Sequence, residues 1–389
     1  HLQNIQSLPS VVLAGLYIHI PFCRSKCSYC DFFSQPSLSD EVAYADALIH
    51  EAELRRAEID EPFRTLYLGG GTPSLLQPAT LERIMDGLTR VFGNPVWEEC
   101  TLEANPEDIT GESLRRYSEL RINRISIGVQ SFDSKMLAAI GRNHTSLQSL
   151  EALETLASAG INFNADLIYG LPGQTPSQAM DDLARMLAFR PPHLSAYLLS
   201  YEPGTRLYAR MLKGEVAETS ETTAVEIYSR YCATMSASGY THYEISNYAR
   251  PGMEARHNSS YWNYTPYLGL GASAHSFDGL TRRSNPCNIK KYIAGIEQCY
   301  QRAASPPPAE AEAETAKNRL NDYIITSLRT SYGLDIDFAK QIFDPILINE
   351  LLGNIQKAGS LLYTKENRVR IPEIDWLTAD AILRELIIE

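Results

Sequence analysis

Cys23, Cys27 and Cys30 fall in one short run, Cys23-Arg-Ser-Lys-Cys27-Ser-Tyr-Cys30, with C-x3-C-x2-C spacing. Thiolates are soft ligands suited to iron. Three of them on one loop can wrap three corners of a 4Fe–4S cubane and leave the fourth iron open. An open iron can chelate a small molecule through an amino and a carboxylate group, as the methionine end of S-adenosylmethionine (SAM) offers. Two other readings stay open on spacing alone. A zinc site normally takes a fourth ligand, and none is obvious nearby. A redox pair Cys27-x-x-Cys30 would leave Cys23 without a role. The other cysteines, Cys100, Cys232, Cys287 and Cys299, are scattered, and a total of seven is odd. That usage does not read as a disulfide framework, and the cytoplasm is the expected compartment. Cys232 and Cys299 sit in helical patterns and read as buried thiols.

The elements that must hold this loop follow from periodicity. Six β-rich runs, Leu16–Ile20, Thr65–Gly69, Cys100–Glu103, Arg124–Val129, Asn162–Ile168 and His193–Leu199, alternate with helical patterns over Glu41–Leu54, Leu81–Val91, Leu147–Ala159 and Ala179–Leu187. Strand–helix alternation predicts parallel pairing and an α/β fold, a partial (β/α)6 barrel, whose chemistry lies at the strand C-termini. The cysteine loop, Gly69-Gly70-Gly71-Thr72, Glu103 and Gln130 all follow or end such runs. The reading divides the chain into an N-terminal extension (1–15), the barrel with its closing segment (16–302), a Pro/Ala/Glu-rich linker (303–314) and a smaller domain (315–389). In the last of these, helical patterns over Thr315–Thr330, Phe338–Phe343 and Ile346–Ala358 precede a hairpin of Leu361–Thr364 and Val369–Ile371, which suggests a winged-helix-like domain. The balance of 35 basic and 47 acidic residues, net −12, disfavours nucleic acid as a partner, so this domain reads as a packing cap. The chain lacks an apolar run of about 18 residues that would span a membrane, and its first residues lack the basic start of a signal peptide.

Several motifs carry a resemblance. Tyr17-Ile-His-Ile-Pro-Phe-Cys23 through Asp31-Phe32, Leu68-Gly-Gly-Gly-Thr-Pro73, Glu103-Ala-Asn-Pro-Glu107, Ser126-Ile-Gly-Val-Gln-Ser-Phe132 and Asp166-Leu-Ile-Tyr-Gly-Leu-Pro172 resemble the oxygen-independent coproporphyrinogen III oxidase family of radical-SAM proteins. The resemblance runs from about residue 16 to the C-terminus. It implies the cluster on Cys23, Cys27 and Cys30, and SAM contacts from Tyr17, Tyr29, Gly70, Gly71, Thr72, Glu103, Gln130, Arg142 and Asp166, with Ser200 and His275 as later contacts. Bare glycine backbone can approach a ligand and offer N–H donors. Arg142 can pair a carboxylate, and Glu103 or Asp166 can accept from an ammonium or ribose hydroxyls.

Two departures indicate which branch of the family is matched. The oxidase motif continues C-x3-C-x2-C-x-C, whereas Asp31 is followed here by Phe32, and about fifteen residues precede Tyr17 in place of a longer extension. Both are similar to the heme chaperone (HemW-like) branch. So is Arg256-His257-Asn258-Ser-Ser-Tyr261-Trp262, an H-N-x-x-Y-W signature in which His257 could ligate heme iron or serve as hydrogen-bonded scaffold. The resemblance implies heme and client hemoproteins as partners, respiratory and membrane-associated ones among them, and a homodimer. The competing expectation is oxidative decarboxylation of coproporphyrinogen III.

Overall fold

The computed structural model describes residues 14–389. Residues 1–13, most of the segment read as an N-terminal extension, lie outside the described residues. The six expected runs form β1 (Ala14–Ile20), β2 (Phe63–Gly70), β3 (Glu99–Ala104), β4 (Arg124–Gln130), β5 (Asn162–Tyr169) and β6 (His193–Leu198). They pair in sequence order and all in parallel.

Each strand carries two sets of side chains. One set, including Leu16, Ile18, Leu66, Leu68, Leu102, Ile125, Ile127 and Leu167, belongs to a single apolar core that also takes in helix residues such as Leu48, Ile84, Leu153 and Leu183. The alternate set is polar, as the period of two requires. It includes Glu103, Ser126, Asp166 and Tyr197, and these face the barrel interior. The lumen is therefore not the apolar layering of a closed eight-stranded barrel. Asn164 shows how it is satisfied: its amide nitrogen donates to Ser126 Oγ at 2.9 Å, and its carbonyl oxygen pairs with His193 Nδ1 at 2.7 Å.

The crossover helices start where local chemistry dictates. Thr110, Thr145 and Thr175 cap the helices Gly111–Glu119, Ser146–Ala159 and Pro176–Ala188 through reciprocal capping boxes with Ser113, Gln148 and Gln178. Each box satisfies orphan N–H groups of a first turn.

The sheet continues beyond the six strands without closing. A hairpin of β7 (Thr241–Glu244) and β8 (Asn247–Ala249) adds antiparallel to β6. On the other side β9 (Tyr267–Leu270) runs parallel to β1, followed by antiparallel β10 (His275–Phe277), β11 (Thr281–Ser284) and β12 (Glu310–Ala313). The stretch 303–314 thus contributes an edge strand, because its backbone pairs with β11 despite a polar composition. The order β12-β11-β10-β9-β1-β2-β3-β4-β5-β6-β8-β7 leaves β12 and β7 at the two edges.

The last seventy or so residues supply most of a second core, with Leu320, Ile324, Leu334, Leu351, Val369 and Leu386, which Tyr228 also joins. Helices Ala316–Ser327, Ile336–Ile342 and Pro345–Ala358 pack with β13 (Leu334–Asp335), β14 (Tyr363–Lys365) and β15 (Arg368–Arg370), ordered β13-β15-β14. Glu366 and Asn367, at φ of 54° and 58°, turn the β14–β15 wing, as a two-residue hairpin loop with positive φ requires. No helix among the described residues is long and apolar enough to cross a membrane.

Candidate functional site

The cysteine loop leaves β1 at Ile20 and is held at several points. Gln35 N donates to Pro21 O at 2.8 Å, Ser28 N to Ile140 O at 2.9 Å, and Leu207 N to Ser28 O at 2.7 Å. Arg24 binds Asp108 at 2.7 Å, and Asn143 donates to Ser25 Oγ at 2.7 Å. Anchors on three other segments fix a loop that has little regular structure of its own.

Cys23, Cys27 and Cys30 line one cavity of about 480 Å³ at the C-terminal ends of β1–β6. The walls also include Tyr29, Gly70, Gly71, Thr72, Glu103, Gln130, Arg142, Asp166 and Ser200. The structure thus brings most of the expected site residues together. Among the described residues, only Cys232, His242 and Glu373 place three ligand atoms within 4.8 Å of one another. The three loop sulfurs are therefore not all within 4.8 Å of one another, wider in at least one pair than the ~3.8 Å S···S separation of one tetrahedral zinc with Zn–S near 2.3 Å. A multi-iron cubane spaces its thiolates more widely, so the loop fits a cluster better than a single ion. Burial pushes the Cys30 thiol up to about 11, so a metal must displace its proton.

The glycines act differently from expectation. Gly70 N donates to Glu103 Oε2 at 3.0 Å, Gly71 N to Ile20 O at 2.8 Å and Thr72 N to Phe22 O at 2.7 Å. Their N–H groups pin the cysteine loop and Glu103 and are not free for a ligand. Glycine is still required. Gly70 has φ of 107°, and a Cβ on Gly71 would stand 2.5 Å from Phe22 O.

Arg142 reaches from behind the loop. It donates to Asn105 Oδ1 and Gly128 O, each at 2.7 Å, and to Cys27 Sγ at 3.6 Å. Its buried Nε has no partner, nor has Gln130 Oε1, which projects from a bulge in β4 where Gln130 has φ of 68°. Unpaired buried polar atoms and a left-handed non-glycine residue at a cavity wall mark a place prepared for a polar ligand. Asn105 was not singled out from sequence, since Asn before Pro reads as a turn residue. Its position two residues beyond Glu103 at the end of β3 was the available signal.

Glu103 accepts from Tyr67 Oη at 2.8 Å. Burial, assisted by nearby Asp166, pushes its carboxyl up to about 7, against the lowering effect of the Tyr67 and Gly70 donors. Burial likewise raises Asp166, which accepts from Asn164 at 2.6 Å. Two carboxyls with raised affinity for protons in one cavity suit a cationic ligand.

Three expected contacts lie outside this cavity wall. Tyr17 does not line the cavity: its phenol donates to His19 Nδ1 at 3.0 Å, and His19 Nε2 donates to Phe33 O at 2.9 Å. It positions the loop indirectly. His275 is exposed at the head of β10 and lies outside the cavity wall. His257 is fully buried beneath the lumen, with Nδ1 bonded to Thr65 Oγ1 and Nε2 to Tyr261 Oη, each at 2.9 Å. Burial lowers its basicity to about 3. Both nitrogens are engaged and the ring has no exposure, the arrangement of a hydrogen-bonded scaffold histidine.

Comparison with known proteins agrees with this geometry. Residues 17–186 match the model of the Radical SAM superfamily. The chain is 35% identical over 323 residues to heme chaperone HemW of Lactococcus lactis, covering 82% of this chain and 83% of that protein. It is 36% identical over 328 residues to heme chaperone HemW of Bacillus subtilis, covering 83% and 85%. Among solved structures, coproporphyrinogen III oxidase (HemN) from Escherichia coli superposes with a TM-score of 0.79 over 97% of this chain and 91% of that one, at 24% identity, a likeness of fold.

Proposed function

Because the chain belongs to the heme chaperone HemW family of the radical SAM superfamily, we propose that it is a radical-SAM heme chaperone that binds heme and delivers it to client hemoproteins. The observation that carries the reading is the convergence of Cys23, Cys27 and Cys30 with Glu103, Gln130, Arg142 and Asp166 on one cavity at the strand ends. Cys23, Cys27 and Cys30 would hold a 4Fe–4S cluster. When bound, the cluster and SAM together supply one-electron chemistry. Arg142 would keep Cys27 and the β3 and β4 ends in register through its bonds to Asn105, Gly128 and the thiol. Glu103 and Asp166 would orient the polar end of SAM, and Tyr29 would pack against its flat base.

Heme would lie at the mouth, since a cavity of about 480 Å³ is filled by one SAM-sized ligand. Phe32, Tyr197 and Leu198 are exposed there and offer apolar surface to a macrocycle. Phe32 also occupies the position of the oxidase motif's fourth cysteine, which supports chaperoning over dehydrogenation. The same reading includes clients at membranes and self-association of the chain. The test is transfer: heme-loaded protein incubated with an apo-hemoprotein should pass heme on faster than free heme partitions, and retention of all heme by the chain would overturn the reading.

Two expectations follow for single residues. SAM affinity should rise with pH near neutrality. Below about 7 Glu103 is protonated and presents less negative charge to the ligand; above it the carboxylate is complete. Equilibrium dialysis of the cluster-loaded protein should give up to about tenfold tighter SAM binding at pH 8 than at pH 6, and a flat profile in Glu103→Gln. A slope that survives the substitution would remove Glu103 from the ligand's surroundings. His257→Ala should lower stability to urea by about 2–3 kcal/mol, by leaving buried Thr65 without its partner, and should leave the heme titration unchanged. Lost heme binding at unchanged stability would return a ligand role to His257.

A further inference from the structure

Outside the cavity wall, Cys232, His242 and Glu373 meet where the barrel touches the C-terminal elements. Cys232 lies on the helix Glu221–Ala237, His242 on β7, and Glu373 opens the short helix Glu373–Thr378. Cys232 packs against both apolar cores. Their ligand atoms all lie within 4.8 Å of one another. Cys232 Sγ is 3.9 Å and Glu373 Oε1 2.9 Å from His242 Nδ1.

The ring's other nitrogen defines the chemistry. Nε2 faces Ile245 O at 3.3 Å, and a carbonyl only accepts, so Nε2 carries the proton. Nδ1 faces a carboxylate, which also only accepts, at 2.9 Å with a thiol beside it, so it either carries a second proton or offers its lone pair to a cation shared with both. Three donors facing one point need a cation or an added proton between them. The backbone carbonyl behind the opposite nitrogen is the support that fixes a ligating histidine's tautomer. A nucleophile relay is ruled out, because Sγ and the carboxylate meet the same ring nitrogen.

We propose that Cys232, His242 and Glu373 bind one divalent ion of the zinc class, which ties the C-terminal domain to the barrel. Thiolate, imidazole and carboxylate are a zinc-type donor set, with water as the fourth ligand. Tetrahedral bonds of 2.0–2.3 Å set S···N and N···O separations at about 3.6 and 3.4 Å. A small outward turn of half-exposed Glu373 widens N···O to that value, and a shift of about 0.3 Å between Cys232 and His242 closes S···N. The walls exclude a larger ligand such as heme. Tyr248 stacks on the His242 ring at 4.0 Å, Trp376 stands 4.6 Å away, and His242 itself is buried. Access runs along Glu373.

The probe is Co2+ added to full-length, cluster-loaded protein, read as the difference spectrum between the parent and Cys232→Ser so that signals from other thiols cancel. The expected result is a saturable thiolate-to-cobalt charge-transfer band at about one equivalent, displaced by Zn2+ and absent in Cys232→Ser. Glu373→Gln, at the solvent edge where folding is least at risk, should bind roughly tenfold or more weakly. Zn2+ should raise the thermal midpoint of the parent more than that of Glu373→Gln. No saturable difference band, or equal binding by all three proteins, would overturn the site and leave His242 and Glu373 as a plain ion pair. Neither outcome depends on whether the chain carries heme.

Discussion

Cys27→Ser is expected to abolish cluster assembly: after anaerobic reconstitution, iron and sulfide should fall from roughly four of each per chain to below one, with loss of the visible sulfur-to-iron band. Serine offers a hard oxygen where iron prefers thiolate. Cys27 also receives Arg142 Nη1, so its loss removes one of the three contacts by which the guanidinium ties the loop to β3 and β4. Cys287→Ser, at an exposed position outside the loop, is the control and should retain full iron. Full iron in Cys27→Ser would contradict the assignment. Tight stoichiometric zinc with no iron in the parent would favour a mononuclear site despite the wide sulfur spacing.

The second large effect concerns the barrel's closing segment. Arg55 and Glu51 are fully buried and paired at 2.6 Å. Arg55 donates to Gly269 O and Ser276 Oγ, each at 3.0 Å. Glu51 accepts from Gly271 N at 2.8 Å, Asn285 at 2.7 Å and Tyr292 Oη at 2.6 Å. Together they fasten the helix Glu41–Arg55 to β9 and β10, and β9 in turn supports β1, which launches the cysteine loop. Arg55→Met keeps most of the volume but leaves Glu51 buried without its cation, which costs about 3–5 kcal/mol. Denaturant unfolding at neutral pH measures it. A loss below about 1 kcal/mol would mean that Glu51 is satisfied by neutral donors alone.

Much of this architecture was legible in the residues. All six barrel strands sit within two or three residues of the runs read from periodicity, because parallel strands under helices carry long β-branched and apolar stretches. The site was legible for a related reason: its residues fall at strand ends, so placing the strands placed the cavity. What escaped reading depends on contacts distant in sequence. Glu310–Ala313 is strand because β11 offers its edge, although Glu-Ala-Glu-Ala has low strand propensity. His257 belongs to a striking-looking signature, yet its burial depends on Thr65 and Tyr261 closing around it. Tyr17 spends its phenol on His19, and His275 stands exposed at the head of β10, outside the cavity wall. The meeting of Cys232 and His242 with Glu373 joins residues 131 positions apart, and no local pattern announces it.

The most direct test of the chaperone reading is an optical titration of anaerobically reconstituted protein with heme, with coproporphyrinogen III turnover assayed on the same sample. The account predicts saturable heme binding and no decarboxylated product. Turnover to protoporphyrinogen IX, or the absence of saturable heme binding, would contradict it.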